Sequence, residues 1–208
     1  RFAREIPRLR ELARGTGADA ERAARTIKTA TDSLRRRLME YVAKYSVYHN
    51  VVIIGCDGQV LLQLPHGQAP AETSDPLVAA TLNSDEPYVE TYRHSDIVPE
   101  VRTALIYSHR IVDDGQIVGV LCLCFKLMGE SGGIFEKLRD KDDWTVLALL
   151  RPDGEVISSS DVYQLPVGAR ITPATSESGG IVRFAGREYL AVTRSAHPYQ
   201  GYAGPSWL

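Results

Sequence analysis

The sequence predicts an α+β fold in which a long N-terminal helix is followed by two unequal copies of an antiparallel sheet module. Residues 19–48 contain no Gly or Pro, which predicts one continuous helix. Two Asp-Gly pairs, at residues 57–58 and 153–154, each separate two apolar runs, and this is the strongest short signal of a β-hairpin. After residue 143 the same order of patterns begins again. Such an internal repeat predicts two modules.

The composition of the chain excludes several classes of protein. Its 208 residues are 44% hydrophobic and 24% charged, as in an ordinary globular protein rather than a disordered one. The net charge of -2 supplies no basic surface, so no nucleic-acid partner is expected. The sequence has no Cys-x-x-Cys, His-Glu-x-x-His, P-loop or Gly-x-Gly-x-x-Gly motif, so neither a metal site nor a bound cofactor is expected.

Residues 1–49 are interpreted as an N-terminal stalk helix. Apolar and aromatic side chains recur in alternating steps of four and three residues, which is the a/d pattern of a coiled coil. A helix of this length must pack along a domain, pair with a second copy of the chain, or do both. The pattern therefore predicts a homodimer through this helix. Its seam consists of Ala20, Ala24, Ile27, Thr31, Leu34, Leu38, Tyr41, Tyr45 and Tyr48.

The first sheet module is expected at residues 50–128. A hairpin is predicted from Val51 to Leu64 around the Asp-Gly turn, followed by a short helix over 77–82 that Asp75-Pro76 caps. After a strand from Pro87 to His94, a second hairpin covers 104–126. Its segment 117–125 is apolar on both alternating faces, which predicts a central strand covered on both sides.

The second sheet module is expected at residues 144–208, after a connector at 129–143 that contains a short helix over 134–138. Its first hairpin repeats that of the first module, with Asp153-Gly154 in the place of Asp57-Gly58. A hairpin over residues 181–194 around Gly186 is interpreted as the counterpart of the hairpin around Gly115.

The Gly-rich connector also matches the pattern of a nucleophile elbow. Residues 129–133 read Gly-Glu-Ser-Gly-Gly, and with Asp153 or Asp161 and then His197 the order Ser, Asp, His of a hydrolase triad is available. A nucleophile elbow belongs to a parallel sheet built from βαβ units, and no such units surround this segment. A Gly-rich turn is therefore the preferred interpretation, and a serine hydrolase using Ser131 is the alternative.

Aromatic and cationic residues are concentrated on two predicted strands of the first module. Strand alternation places Tyr88 and Tyr92 on one face and Arg93 on the other, so these residues cannot all line one cavity. As a group they are still the best candidate for a ligand pocket. An alternative is that the tyrosines are half-buried sheet residues and that Arg93 pairs with Asp96 or Glu100. The group consists of Tyr88, Tyr92, Arg93, His94, Tyr107, His109 and Arg110.

The order of these patterns resembles the double Cache domains, which are tandem PAS-like sensor modules of bacterial chemoreceptors, sensor kinases and cyclic-dinucleotide enzymes. The residues that carry the resemblance are VVIIGCDGQVLLQL at 51–64, Asp75-Pro76-Leu77, ALIYSHRIVDDGQIVGVLCLCFK at 104–126, LLRPDGEVISSS at 149–160 and LPVG at 165–168. The resemblance covers residues 16–194. It implies a long N-terminal helix and two PAS-like antiparallel sheet modules, with the first module distal to the membrane.

The resemblance implies a small-molecule ligand in the first module. In the amino-acid-sensing branch, a Tyr and an Arg five residues later hold the ligand carboxylate together with an aromatic pair, and Tyr88 and Arg93 have this spacing. Ser95 and Asp96 stand where the aromatic pair is expected. Cys122 or Cys124 stands where an acidic residue would hold the ligand amine, so Cys122 joins the predicted binding residues and a carboxylate is favoured over an α-amino acid.

The sequence is therefore interpreted as the ligand-binding region of a bacterial signalling receptor, and not as an enzyme. Binding of a small anion is expected to shift the N-terminal helix between discrete arrangements. The chain is interpreted as a piece of a longer membrane receptor whose output domain lies outside it. The resemblance favours an extracytoplasmic location, whereas three cysteines without a disulfide pattern fit a reducing compartment. A structural dimerisation module is a further alternative.

Overall fold

The computed structural model describes residues 18–44, 47–64, 70–139, 144–174, 179–196 and 207–208. In the first helix it describes the side chains of Thr29 and of residues 32–44. His66, His197 and residues 199–206 of the tail, with part of the polar stretch at 66–74, lie outside the described residues. The chain divides into two compact units, unit 1 (Arg1–Leu127) and unit 2 (Met128–Leu208).

Helix α1 spans Ala18–Lys44 and is followed by strand β1 at Tyr48–Ile54. The helix thus ends before the predicted boundary, because Tyr48 pairs with Phe125 as a strand residue instead of continuing the helix. Its neighbours in β1 are mostly β-branched, and these residues favour strands. No helix in the described part of the chain is long and apolar enough to cross a membrane.

Unit 1 is built on a five-stranded antiparallel sheet in the order β2-β1-β5-β4-β3. Strand β5 occupies the central position, so the prediction from its two apolar faces is confirmed. Both predicted hairpins of this unit are present: the first begins three residues earlier than predicted, at Tyr48, and the second ends one residue earlier, at Phe125. The remaining strands are β2 (Val60–Leu64), β3 (Val89–Arg93), β4 (Ala104–Asp113) and β5 (Gln116–Phe125).

Different elements cover the two faces of this sheet. Helix α1 packs on one face, where Leu34 contacts the cluster of Ile53, Leu62 and Val118. Helix α2 (Pro76–Asn83) covers the opposite face together with residues 97–101. We call these the α1 face and the α2 face. The main apolar core of unit 1 lies beneath α2, where the most central side chains are fully buried.

The described residues of unit 2 form helix α3 and two separate two-stranded sheets. Helix α3 spans Leu127–Leu138, so the Gly-rich segment 129–133 is helical and the interpretation of it as a turn is wrong. The first sheet pairs β6 (Ala148–Leu150) with β7 (Val156–Ser159), and the second pairs β8 (Gly180–Phe184) with β9 (Arg187–Ala191). The predicted α+β class with antiparallel sheets is confirmed for both units.

Candidate functional site

The predicted binding residues divide between the two faces of the unit 1 sheet. On β3, Tyr92 lies opposite Leu105 and Arg93 lies opposite Ala104. Ala104 belongs to the core beneath α2, which places Arg93 on the α2 face and Tyr92 on the α1 face. The sequence-based expectation that the group cannot line one cavity therefore agrees with the register of the strands.

Arg93 forms an ion pair with Asp75, the residue that caps helix α2. Its Nη1 donates to Oδ2 of Asp75 at 3.0 Å, and its Nη2 donates to Oδ1 of the same carboxylate. Nη1 also donates to the carbonyl oxygen of His94 at 2.8 Å. The side chain of Asp75 is 2% exposed, whereas that of Arg93 is 38% exposed. One edge of the guanidinium is thus fixed against the protein and the side chain remains partly open to solvent.

Asp75 is the centre of a polar network that holds three chain segments together. Its carboxylate accepts from the Ser95 hydroxyl at 2.6 Å and from the backbone N–H of Leu77 at 2.8 Å. Its own backbone N–H donates to Oγ1 of Thr73 at 3.1 Å, and that hydroxyl donates to Asp96 at 2.5 Å. We call Thr73, Asp75, Arg93, Ser95 and Asp96 the Asp75 cluster.

The first hairpin anchors this cluster to the sheet. The backbone N–H of Thr73 donates to the carbonyl oxygen of Gly58 at 2.9 Å, and that of Val60 donates to Ala71 at 2.9 Å. Gly58 has φ +85, and a Cβ atom there would lie 2.6 Å from the carbonyl oxygen of Thr73. The glycine of the Asp-Gly turn is therefore required both for the turn and for the close approach of the segment that carries the cluster.

The network controls the charge of Asp75. Burial alone raises the pKa of this carboxyl, but the hydrogen bonds from Arg93, Ser95 and the Leu77 backbone, with the positive charge of Arg93, outweigh burial. The pKa of Asp75 is consequently held below its ordinary value of 3.8. The ionised form is the one that the folded state stabilises.

Because the pKa of Asp75 is lower in the folded state than in the unfolded chain, its contribution to stability depends on pH. The contribution is fully present above the unfolded pKa of about 3.9 and is lost as pH falls through the folded pKa. We expect the difference in unfolding free energy between the wild type and Asp75→Asn to be largest near pH 6 and to shrink below about pH 4. Urea unfolding of the full chain from pH 3 to 7, followed by the NMR signals of the backbone amides of β5, measures it for unit 1. A difference that is constant over this range would contradict the role given to the charge.

Cys122 lies inside the apolar core beneath α2 and not at the surface of unit 1. The residue is 0% exposed, and burial, assisted by the negative charge of Asp75, raises the pKa of its thiol to about 12. Burial likewise raises the pKa of Cys124. Both thiols stay protonated and pack as small apolar groups.

Nearby, the hydroxyls of Thr81 and Ser108 are 2.6 Å apart and join α2 to β4.

Two of the three predicted tyrosines, Tyr88 and Tyr107, belong to a row of ring contacts on the α1 face. Tyr88 contacts Tyr107 edge to face with ring centroids 6.1 Å apart, and Tyr107 contacts Phe125 at 6.4 Å. Phe125 in turn contacts Tyr48 at 6.5 Å, and Tyr48 stacks on Tyr41 of helix α1 at 6.2 Å. We call these five side chains the aromatic row. It connects the β3 edge of the sheet with the last turns of α1.

The remaining predicted residues lie at the surface. His94 is exposed, and its backbone carbonyl is the group that contacts Arg93. His109 is exposed, and its Nδ1 lies within hydrogen-bond distance of the Pro87 carbonyl oxygen. Nη1 of Arg110 lies 3.8 Å from Asp85, whose side chain is fully exposed. The structure thus brings Arg93, but not these three side chains, into a buried polar network.

Sequence reasoning identified Asp75 as a helix cap but missed it as the partner of Arg93. The expected partners were Asp96 and Glu100, which are close in sequence. Asp75 is 18 positions away from Arg93 and meets it only because α2 folds back over the sheet. The helix cap at Asp75 was a signal that could have identified this ion pair, because a buried carboxylate generally requires a cation as its partner. Thr73 and Ser95 carried no comparable signal.

The alternative based on Ser131 loses its main structural support. Ser131 lies inside α3 and not on a strand-to-helix turn. Its hydroxyl lies 2.6 Å from the hydroxyl of Ser158 and donates to the carbonyl oxygen of Met128 at 3.3 Å. The third residue of the supposed triad, His197, lies outside the described residues. A nucleophile elbow needs a sharp turn that exposes the serine, and this serine is buried in a helix.

Comparison with known proteins finds similarity in structure rather than in sequence. No protein-family model matches the chain, and no curated protein sequence matches it significantly. The ligand-binding domain of the Pseudomonas aeruginosa PAO1 amino acid chemoreceptor PctB, in complex with L-Arg, superposes with a TM-score of 0.56 at 15% identity. That match covers 97% of this chain and 82% of the PctB domain.

Two further structures show the same fold. The ligand-binding domain of the Pseudomonas fluorescens chemoreceptor CtaA, in complex with L-serine, gives a TM-score of 0.55 at 15% identity over 79% of this chain and 72% of that one. The sensor domain of the V. cholerae histidine kinase DctB superposes with a TM-score of 0.50 at 12% identity. That match covers 67% of this chain and about half (52%) of the DctB chain. The chain has the fold of Cache-type sensor domains, and the resemblance predicted from sequence is confirmed at this level.

Proposed function

We propose that this chain is the ligand-binding sensor region of a signal-transduction receptor, and that unit 1 binds a small carboxylate or similar anion at the solvent-facing edge of Arg93. The fold supports the sensor role, because similar structures are described as ligand-binding or sensor domains. The observation that carries the site is the partly exposed side chain of Arg93, whose guanidinium Asp75 fixes against the α2 face. This proposal makes no use of a catalytic group.

The arrangement at Arg93 is suited to weak binding of an anion. Asp75 neutralises the charge of Arg93, which lowers its affinity for a second anion, but it also fixes the orientation of the guanidinium. A planar group that is already oriented loses less entropy when a carboxylate pairs with it. The proposed ligand therefore adds to the exposed edge and leaves Asp75 in place, because displacing Asp75 would strand a buried carboxylate.

Transmission of the signal is proposed to use the two faces of the same sheet. Arg93 is the last residue of β3, and the aromatic row begins beside that strand on the opposite face and reaches Tyr41 of α1. A ligand can shift α1 only by its difference in affinity for two arrangements of this helix. Pairing of α1 with a second copy, as the heptad pattern predicts, would supply such discrete arrangements.

The location is proposed to be extracytoplasmic, in a membrane receptor whose output domain is separate from this region. The cysteine argument for a reducing compartment is weak, since Cys122 and Cys124 are buried and Cys56 is the exposed one of the three. Buried thiols with a raised pKa resist oxidation in either compartment. The cysteines therefore favour neither compartment, and cell fractionation tests the proposed location directly.

A thermal-shift screen with small monocarboxylates, dicarboxylates, phosphate and sulfate tests the proposed ligand class. A ligand present at a hundred times its dissociation constant is expected to stabilise the fold by about 2.7 kcal/mol. Arg93→Lys keeps the charge but loses the fork, so we expect it to weaken binding by about tenfold or more. Each variant is compared with its own ligand-free form, which separates lost binding from lost stability.

Arg183→Lys is the matched control, because Arg183 is an exposed strand arginine paired with Glu188 at 2.7 Å in unit 2. We expect this variant to bind the ligand as the wild type does. Equal weakening by both substitutions, or no stabilisation by any member of the screen, would overturn the proposed site and favour a structural dimerisation module.

A further inference from the structure

Three tyrosines surround one glutamate at the β3 edge of the unit 1 sheet. Side chains two residues apart on an extended strand share a face, so Tyr88, Glu90 and Tyr92 lie together on the α1 face. Across the pair with β4, Glu90 lies directly opposite Tyr107. The glutamate therefore has one tyrosine before it, one after it and a third across the ladder. We call these four side chains the Glu90 box.

The side chains of the Glu90 box are close enough to act on one small ligand. Residues directly opposite each other in an antiparallel pair have Cβ atoms about 4.5–5.5 Å apart, and Glu90 and Tyr107 are such a pair. The rings of Tyr88 and Tyr107 are in contact, with centroids 6.1 Å apart. All four residues are half-buried, so each keeps part of its surface open to solvent. A small molecule bound here would meet the carboxylate and the rings together.

The orientation of the rings in the Glu90 box is suited to a cation. The planes of the Tyr88 and Tyr107 rings are inclined by 72° to each other. Two rings at so steep an angle form a corner into which a face of each ring points, and the face of an aromatic ring carries partial negative charge. A cation within about 6 Å of a ring centroid is attracted to this face. The carboxylate of Glu90 adds a negative group beside the same corner.

Strands β3 and β4 place their arginines and Glu90 on opposite faces of the sheet. Arg93 pairs with Asp75 on the α2 face. Arg110 lies on the same face, because its partner on β5 is Val120 of the core beneath α2. Glu90 lies on the other face among the tyrosines. The α2 face of this edge therefore has the groups that recognise an anion, and the α1 face has those that recognise a cation.

The kind of cation follows from the groups that the Glu90 box supplies. A primary ammonium has three N–H donors, and each of them needs an acceptor when water is removed. In a fully alkylated ammonium, carbon groups replace these hydrogens, so ring faces and one negative charge are sufficient to hold it. The box offers three rings and one carboxylate. It therefore favours an alkylated ammonium over a primary amine.

We propose that unit 1 carries a second binding site, the Glu90 box, which takes a small alkylated ammonium ion on the face of the sheet opposite Arg93. The positive group of the ion lies against the ring faces of Tyr88 and Tyr107, and Glu90 balances its charge. Both tyrosines also belong to the aromatic row, so an ion held here contacts the side chains that lead to Tyr41 of α1. This site goes beyond the proposed carboxylate site, and either one can fail without the other.

An NMR titration of the full chain with tetramethylammonium chloride tests the Glu90 box. The ring signals of its tyrosines are followed, and the reference sample receives sodium chloride to the same ionic strength. We expect the signals of Tyr88 and Tyr107 to shift and to reach saturation together, because one ion lies against both rings. tert-Butanol, a neutral molecule of similar size and shape, is expected to shift them less and without saturation. Equal responses to the two molecules, or no saturation by tetramethylammonium, would overturn the proposal.

Two substitutions separate the contributions of the charge and of a ring. Glu90→Gln keeps the shape of the side chain but removes its charge, so we expect it to weaken tetramethylammonium binding by about tenfold. Tyr107→Leu keeps an apolar side chain but removes one ring face, and it is expected to weaken binding by about threefold. The ring signal of Tyr88 reports binding in both variants.

Glu86→Gln is the matched control, because Glu86 is an exposed glutamate of unit 1 that lies before β3 and outside the box. We expect this variant to bind tetramethylammonium as the wild type does. Wild-type affinity in Glu90→Gln, or equal weakening by Glu86→Gln, would overturn the site. If Glu90→Gln does not fold, the comparison of tetramethylammonium with tert-butanol on the wild type still decides the question, because it requires no variant.

Discussion

Gly58→Ala is expected to lower the unfolding free energy of unit 1 by about 3–4 kcal/mol. Gly58 has φ +85, and alanine in this conformation costs about 1–2 kcal/mol by itself. The added Cβ atom would also lie 2.6 Å from the carbonyl oxygen of Thr73, which is backbone and cannot rotate away. The segment that carries Thr73 must therefore move, which disturbs the hydrogen bond that the backbone N–H of Asp75 donates to Oγ1 of Thr73.

Gly115→Ala is the matched control for this substitution. Gly115 has φ +81 in the turn between β4 and β5, but a Cβ atom there would meet nothing within 4 Å among the described residues. We expect Gly115→Ala to lower the unfolding free energy by the conformational cost alone, about 1–2 kcal/mol. Both tryptophans, Trp144 and Trp207, lie in unit 2, so amide exchange in β5 is the appropriate measure for unit 1. Equal losses in the two variants would show that the close approach to Thr73 is unimportant.

Asp75→Ala is expected to destabilise unit 1 by about 3 kcal/mol. The substitution removes the cap of α2, which is worth about 0.5–2 kcal/mol, and leaves Arg93 without its carboxylate. Breaking a buried pair costs about 3–5 kcal/mol, and the partial exposure of Arg93 places this case at the lower end. Amide exchange in β5 and β1 at pH 7 measures the loss.

Asp75→Asn separates the cap from the ion pair. Asparagine caps a helix about as well as aspartate, so this variant is expected to lose only the part due to the charge. Asp57→Ala serves as a second control, since Asp57 is exposed and its carboxylate accepts from the backbone N–H of Gln59 at 3.3 Å rather than from a buried network. If Asp57→Ala were as destabilising as Asp75→Ala, the cluster would have no special role in unit 1.

Local features of the fold could be predicted from the sequence because their causes are local. The Asp-Gly turns at 57–58 and 153–154 need positive φ at glycine, and both Gly58 and Gly154 have it. Asp75 followed by proline caps α2 as predicted. The two apolar faces of β5 indicated its central position. In each of these cases the residue type itself determines the conformation or the burial.

Features that depend on tertiary contacts could not be predicted in the same way. The segment 129–133 reads as a turn because glycine disfavours helices, yet it is helical in α3, where Ser131 bonds to Ser158. The pairing of Arg93 with Asp75 depends on how α2 folds over the sheet. The division of the aromatic group between two faces was predicted from alternation, but which face meets α2 was not.

The proposed site is most directly tested by an NMR titration of the Arg93 side chain. The strongest carboxylate from the thermal-shift screen is added to nitrogen-15-labelled protein while the Nε–Hε signal of Arg93 and the backbone amide of Ser95 are followed. The account predicts that both signals shift and saturate with the dissociation constant of the ligand. Binding that leaves both signals in place, or that shifts signals of unit 2 alone, would contradict it.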